Sequence, residues 1–316
     1  MNHLERCFDN QNQWWKYLLV IIFGFLGGQL IGIIPSIVLV LSETGISGLD
    51  TNALTDLSSI GFSKNTNLVF LLLPFVFMLF ISMGLVRYLH LRSFSNITNG
   101  TSKIRWNRIF YSSFLWLCIL ILSVGIDFIS DPDNFTLNYN ASEFWILCLI
   151  SLLLIPLQTT SEEYFFRGYF YQVVGVISKN RLVAAIIPGI IFGLMHYANP
   201  EVEEHGMMLA MPHYILSGLV FGLITALDDG MELAIGAHAI NNIFLSILIT
   251  EKATVFQTDA LFSVVESTID WTSLIFMLFY NGIFIFFLHK KYKFNWSVLL
   301  KKVDNPNIDN TYSNSI

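Results

Sequence analysis

Residues 161–167 read SEEYFFR, and this stretch follows the apolar run from Phe144 to Leu157. It places two glutamates and an arginine at the end of a segment that is apolar enough to enter a membrane. A charged side chain at membrane depth costs about 3 kcal/mol, so such residues usually have a function. The alternative is that these charges only mark the cytoplasmic end of a membrane helix.

The spacing of the three charges predicts different environments for the two glutamates. In an α-helix, Glu163 and Arg167 are four residues apart and lie on one face, whereas Glu162 points toward a neighbouring face. Arg167 can therefore neutralise Glu163 and leave the carboxylate of Glu162 free for chemistry.

The composition of the chain indicates an integral membrane protein. Of the 316 residues, 54% are hydrophobic, 15% are aromatic and only 13% are charged. This is more apolar material than the core of a soluble domain of this length requires. The formal net charge of -6 is spread over separate acidic and basic loops and indicates no particular partner. We expect contact with membrane lipids and no nucleic-acid partner.

Eight segments are candidate membrane spans, because a helix needs about 20 apolar residues to cross a bilayer. The first has no signal-peptide cleavage site, so we expect it to be retained. The predicted fold is therefore an all-α polytopic membrane bundle of about eight helices. The candidates are Tyr17 to Leu41, Leu68 to Val86, Ile109 to Ile126, Phe144 to Leu157 with its continuation, Leu182 to Met195, Met207 to Leu227, Leu233 to Ile249, and Trp271 to Leu288.

The distribution of lysine and arginine predicts that both termini are cytoplasmic. In an eight-span arrangement, the basic clusters near Lys16, in the region 87–108, at 179–181 and at 290–302 all fall on one side. Cytoplasmic loops carry such an excess of positive charge. The opposite side contains only Lys64 and Lys252, together with acidic loops.

Two further polar groups interrupt apolar segments. Phe192 and His196 belong to the fifth candidate span, and His238 and Asn242 belong to the seventh. His238 and Asn242 are four residues apart, so they can reach one bound atom from successive turns, whereas Asn241 points elsewhere. His196 alone is typical of a histidine bonded to backbone near a helix end. Polar groups on three membrane helices together indicate a site.

These groups, in this order and spacing, resemble the three motifs of the CPBP family, the CaaX-protease and bacteriocin-processing (Abi) group of intramembrane proteases. The resemblance covers about Phe144 to Ile249. It implies a catalytic core at 143–250. Hydropathy alone predicts the flanking parts, which are a three-span region at 1–142 and a last span with a basic cytoplasmic end at 251–302. We expect the tail at 303–316 to be disordered. The matching motifs are Glu162 and Glu163 with Arg167, Phe192 with His196, and His238 with Asn242.

The resemblance also implies roles. Glu162 would act as general base, His196 would help it to hold and activate a water, and His238 and Asn242 would stabilise the oxyanion. A carboxylate in a low-dielectric pocket is a stronger base than one in water, and imidazole and amide groups are suitable oxyanion donors. The implied supporting residues are Glu163 and Arg167.

A metal is an open alternative. Glu162, His196 and His238 have the donor types of a zinc site with an open position for water, but no HExxH motif is present. Relatives in the family are described both as metalloproteases and as metal-free glutamate proteases. We expect metal-independent catalysis and keep zinc as the alternative.

The sequence also bears on other functions. Ser217 lacks a GxSG context and Asp127 lacks a GxGD context, so serine and aspartyl intramembrane proteases are not indicated. A proton-coupled transporter and a catalytically inactive scaffold or immunity protein remain alternatives.

Family members cleave prenylated CaaX tails or are linked to peptide maturation, bacteriocin self-immunity or envelope functions. The Phe, Ile and Asn content indicates a low-GC bacterium, hence the second group and a plasma-membrane location.

Overall fold

The computed structural model describes residues 3–9, 11–101, 103–266 and 269–304. The fold is mostly helical, at 78%. Of the tail that we expect to be disordered, residues 305–316 lie outside the described residues. The apolar helices, numbered in chain order, are α1 Trp14–Thr44, α2 Lys64–Leu89, α3 Trp106–Ser130, α4 Ala141–Ser178, α5 Arg181–Leu194, α6 Met207–Asp228, α7 Glu232–Leu248 and α8 Trp271–Tyr292.

Six of these helices, α1 to α4, α6 and α8, are long and apolar enough to cross a membrane. The protein is therefore a multi-pass membrane helix bundle. Helix α5 has 14 residues and α7 has 17. At about 1.5 Å per residue they reach about 21 and 26 Å, less than the ~30 Å hydrocarbon core. All eight predicted segments occur as helices, but a crossing by α5 and α7 stays a prediction.

Short elements join the long helices, and they include a small sheet that the all-α prediction misses. Strands of two or three residues are too short to show an alternating pattern in the sequence. The helical connections are Leu4–Asp9, Ile46–Gly48, Thr51–Thr55, Leu57–Ile60, Phe94–Thr98, Pro132–Asn134, Pro200–His205 and Trp296–Leu300. The strands, in sheet order, are β1 Phe135–Leu137, β3 Phe262–Val264 and β2 Ile249–Thr250, with β1 antiparallel and β2 parallel to β3.

Helices α1 and α4 each contain a π-helical segment, and the two segments meet. The segments are Val20–Leu26 and Tyr164–Phe170. Phe25 of the first stacks on Phe165 of the second, with ring centroids 4.4 Å apart. Six consecutive residues of the second, 164–169, are buried. A helix that is buried all round lies in the centre of a bundle, so the SEEYFFR stretch forms the core.

Helices α5 and α6 approach each other through glycines. Gly189 and Gly218 face each other so closely that a Cβ on Gly218 would lie 2.0 Å from the carbonyl oxygen of Gly189. Small residues at such crossings allow the backbones of membrane helices to pack closely. This contact places the end of α5, with His196, against α6.

The connections gather at two ends of the bundle. One end joins the N-terminal segment, the α2–α3, α4–α5 and α6–α7 connections and the C-terminal segment, which carry most of the basic residues. The other end contains the small sheet and an ion pair between Lys64 and Asp259. Contacts that join the first end are Arg92 to the carbonyl of Cys7, Arg105 to Asp228 and Glu232, and a backbone bridge between Asn180 and Lys302.

The α5–α6 contact generates a stability prediction. We expect Gly218→Ala to destabilise the protein by about 1–3 kcal/mol, because the added methyl group would meet backbone that cannot move away cheaply. The measurement is thermal unfolding of the purified protein in detergent. The matched control is Gly84→Ala on α2, where a Cβ meets nothing within 4 Å. Equal unfolding temperatures for both variants would contradict the prediction.

Candidate active site

A cavity of about 710 Å³ lies inside the bundle, and every one of the eight helices contributes to its wall. The exposed surface of its wall is mostly apolar, and polar side chains from several helices interrupt it. Such a concave, largely apolar site with convergent polar side chains is typical of a ligand or substrate pocket. The four residues with an implied catalytic role line this cavity: Glu162, His196, His238 and Asn242.

The two adjacent glutamates occupy different environments, as their helical positions predict. Glu163 is fully buried at 0% exposure, whereas Glu162 is 8% exposed and lines the cavity. Oε1 of Glu163 accepts a hydrogen bond from Nη1 of Arg167 at 2.9 Å. The ion pair expected from the four-residue spacing is therefore present, and it leaves Glu162 as the carboxylate that faces the cavity.

Glu163 also holds His238. The distance from Oε1 of Glu163 to Nδ1 of His238 is 2.7 Å. Because a carboxylate that is paired with Arg167 can only accept, Nδ1 of His238 carries the proton of this bond. Nε2 of the same ring lies 3.5 Å from Oε2 of Glu162. His238 thus bridges the two glutamates, and its bond to the buried one orients the ring toward the cavity.

Arg167 is enclosed by aromatic rings and by α6. Its guanidinium carbon lies 4.1 Å from the ring centroid of Phe192 and 5.3 Å from that of Phe221. Its Nη2 donates to the carbonyl oxygen of Gly218 at 3.3 Å. A buried arginine needs such partners to offset the loss of hydration. Phe192 therefore supports the site by covering Arg167.

His196 lies just beyond the end of α5 and has two kinds of contact. Its Nδ1 lies 2.8 Å from the carbonyl oxygen of Phe192, which is the backbone bond typical of a helix-end histidine. Its ring also stacks on Tyr214, with centroids 4.5 Å apart. Among the hydrogen bonds of the described residues, none joins His196 to Glu162. Cooperation between these two residues therefore requires a water or substrate between them.

Asn242 belongs to a chain of side-chain amides along the cavity wall. Its Nδ2 donates to Oε1 of Gln158 at 3.3 Å, and its Oδ1 accepts from Nδ2 of Asn241 at 3.1 Å. Oδ1 of Asn241 accepts in turn from Nε1 of Trp116 at 3.1 Å. The expectation that Asn241 points away is wrong, because Asn241 also lines the cavity and bonds its neighbour.

The positions of the candidate zinc ligands bear on the metal alternative. Within the described part of the chain, no group of three His, Cys, Asp or Glu residues is placed to hold one metal ion. His196 and His238 each use Nδ1 for a hydrogen bond within the protein, so only Nε2 remains on each ring. Metal-independent catalysis stays a prediction, and chelation tests the zinc alternative.

Glu201 also lines the cavity, although it belongs to none of the motifs named from the sequence. It belongs to the short helix Pro200–His205, and its Oε1 accepts from the backbone N–H of Val255 at 3.2 Å. Its Oε2 is buried without a hydrogen-bond partner among the described atoms. Desolvation by burial raises the pKa of Glu201 above its ordinary value. A proline at the first helical position after Asn199 was the signal for this short helix.

Comparisons with known proteins identify the family that the chain resembles. Residues 141–244 match the family described as Rce1-like, type II CAAX prenyl endopeptidase. This range contains the six candidate residues. The uncharacterized protein YyaK of Bacillus subtilis (strain 168) is 32% identical over 305 residues, which are 93% of this chain and 98% of that protein. No solved structure gives a significant match.

The two glutamates should differ in their effect on stability. We expect Glu163→Ala to destabilise the protein by about 3–5 kcal/mol, because Arg167 would stay buried without its carboxylate. The same change would leave Nδ1 of His238 without its acceptor. Glu162→Ala is the matched control, since Glu163 then keeps its bonds to Arg167 and His238. Expression and unfolding midpoint check the prediction, and equal values for the two variants would count against it.

Proposed function

Because the chain belongs to the CPBP family of intramembrane proteases, we propose that it hydrolyses a peptide bond with a water activated by Glu162. The observation that carries this proposal is that the two adjacent glutamates have different environments. Arg167 neutralises the buried Glu163, and Glu162 faces the cavity. A general base must be free to accept a proton and reachable by the substrate, and Glu162 meets both conditions.

In the proposed reaction, Glu162 takes a proton from water while the water oxygen bonds to the carbonyl carbon of the peptide. The carbonyl oxygen becomes an oxyanion, to which Nδ2 of Asn242 donates. His238 can donate only from Nε2, so its ring carries a proton on both nitrogens at this step, with the carboxylate of Glu163 beside the cation. Glu162 then gives its proton to the leaving amine as the C–N bond breaks.

His196 has an assisting role in this proposal. With Nδ1 held by its own helix end, its Nε2 is available to accept a hydrogen bond from the attacking water or from the substrate. Stacking on Tyr214 keeps the ring in place in the cavity wall. The water would then lie between Glu162 and His196, which explains why these side chains need no direct bond.

We propose a peptide or membrane-protein substrate in a bacterial plasma membrane. The similarity to a Bacillus subtilis protein over 93% of the chain supports a bacterial role. Peptide maturation, bacteriocin self-immunity and envelope functions fit this location. The family name implies cleavage of prenylated CaaX peptides, which therefore also belong among the test substrates.

The enzyme test uses Glu162→Gln, which keeps the shape of the side chain but cannot take a proton. We expect it to abolish cleavage while the unfolding midpoint and peptide binding stay near those of the wild type. The assay presents a farnesylated CaaX peptide and a set of synthetic single-span peptides to the protein in proteoliposomes, with mass spectrometry of the products. His238→Ala and Asn242→Ala should each lower the rate about a hundredfold or more.

The controls separate the alternatives. Activity should survive a strong chelator, whereas loss of activity that zinc restores would favour Glu162, His196 and His238 as ligands. Cleavage that persists in Glu162→Gln would overturn the protease mechanism. A scaffold or immunity protein would keep its biological function in this variant. A proton-coupled transporter would instead show a pH-dependent flux that the variant loses.

We further propose that all eight helices cross the membrane and that both termini are cytoplasmic. The two short helices connect opposite ends of the bundle. Helix α7 begins at Glu232, which pairs with Arg105 at the basic end, and it is followed at once by strand β2 at the other end. Basic residues at one end favour that end as cytoplasmic.

Cysteine labelling tests this topology. After replacement of the native cysteines, Tyr88→Cys and Leu300→Cys should be protected from a membrane-impermeant maleimide in intact cells, and Ile46→Cys should react. All three positions are highly exposed, at 81%, 84% and 88%, so protection reports sidedness and not burial. Each variant should react after the cells are opened. Labelling of Tyr88→Cys or Leu300→Cys in intact cells would contradict the proposed orientation.

A further inference from the structure

Four uncharged side chains form a continuous hydrogen-bonded chain from α3 through α7 to α4. Nε1 of Trp116 donates to Asn241, Asn241 donates to Asn242, and Asn242 donates to Gln158. The three bonds measure 3.1, 3.1 and 3.3 Å. Glu162 lies four residues after Gln158, one helical turn further along the same helix. All five residues line the cavity.

The direction of this chain is determined by Trp116, its first member. A side-chain amide can be turned over to exchange its oxygen and nitrogen, so the orientation of Asn241, Asn242 and Gln158 must follow from their partners. The indole of Trp116 can only donate, so Asn241 presents its oxygen to Trp116 and its nitrogen to Asn242. Only one orientation of the three amides then satisfies every link from Trp116 to Gln158.

That orientation matters for the amide of Asn242. Its oxygen is occupied by Asn241, and its nitrogen donates one hydrogen to Gln158. The second hydrogen of the same NH2 group remains for another acceptor. If the amide were turned over, its oxygen would replace the nitrogen as the group available to an oxyanion, and the contact would change from attraction to repulsion.

We propose that Trp116, Asn241 and Gln158 are positioning residues that hold the amide of Asn242 with its NH2 group available to the developing oxyanion. This inference rests on the proposed protease function and adds a requirement to it. Trp116 is the remote member, since it acts on Asn242 only through Asn241. Gln158 is the last member, and it accepts from Asn242 one helical turn before Glu162.

Trp116 also packs in the core, and the test must separate packing from hydrogen bonding. Its ring meets Phe284 of α8 edge to face, with centroids 5.0 Å apart. Trp116→Phe retains an aromatic ring for this contact but removes the donor. Trp106→Phe on the same helix is the matched control, because Trp106 is 61% exposed and lies at the start of α3.

The kinetic experiment compares these variants on the peptide of the test set that the wild type cleaves fastest. We expect Trp116→Phe to lower kcat by about tenfold or more and to leave KM within about twofold of the wild type. This loss is a part of the one expected for Asn242→Ala, which removes the oxyanion donor itself. Asn241→Asp should do the same, since aspartate still accepts from Trp116 but cannot donate to Asn242. Trp106→Phe should leave kcat and KM unchanged.

A second measurement does not depend on activity. In protein with 15N-labelled tryptophan in nanodiscs, the Trp116 indole N–H signal is the one that Trp116→Phe removes. Asn241→Ala should shift this signal, because the indole loses its acceptor. An unmoved signal would overturn the hydrogen-bonded chain, even if no test peptide is cleaved and the proposed function fails.

The kinetic outcomes distinguish the two proposals. If Glu162→Gln is inactive but Trp116→Phe and Asn241→Asp keep the wild-type kcat, the positioning role is wrong and the protease function stands. A fall in unfolding temperature with unchanged kcat would assign Trp116 to packing alone and would also overturn the inference.

Discussion

The structure depends on the buried carboxylate of Glu163. Its Oε1 accepts hydrogen bonds from both Arg167 and His238. Through Arg167 this cluster also reaches the backbone of Gly218 on α6. Removing one partner of a buried charge cluster destabilises a protein far more than replacing the whole cluster with apolar residues does. The relative positions of α4, α6 and α7 are therefore restricted by hydrogen-bond lengths, and this restriction keeps Glu162 and His238 within 3.5 Å of each other.

Hydropathy predicts the helices well because membrane insertion depends mainly on local composition. The predicted first span, Tyr17 to Leu41, lies inside the helix Trp14–Thr44, and the predicted seventh differs from Glu232–Leu248 by one residue at each end. Features that depend on neighbouring helices are not visible locally. The π-helical segment at Tyr164–Phe170 and the Gly189–Gly218 crossing exist because other helices surround them.

The same distinction applies to the site. A four-residue spacing on one helix is sufficient to predict the Glu163–Arg167 pair. The helical pattern also suggests that Asn241 and Asn242 point in different directions. In the structure the two amides bond to each other, because Trp116 and Gln158 approach them from other helices. Those approaches come from the packing of α3 and α4 against α7, which a single helix pattern does not contain.

The chemistry of the cavity depends on residues whose hydrogen bonds have only one possible direction. His238, Asn242 and Gln158 can each donate or accept, so motif positions alone do not determine their orientation. Arg167 only donates and Glu163 accepts, and they assign the proton on Nδ1 of His238. Trp116 donates to the amide chain and thereby assigns the direction of every bond in it. Donors for an oxyanion act best when they are oriented before charge develops. The groups that can only donate or only accept therefore belong to the active site as much as the motif residues that they orient.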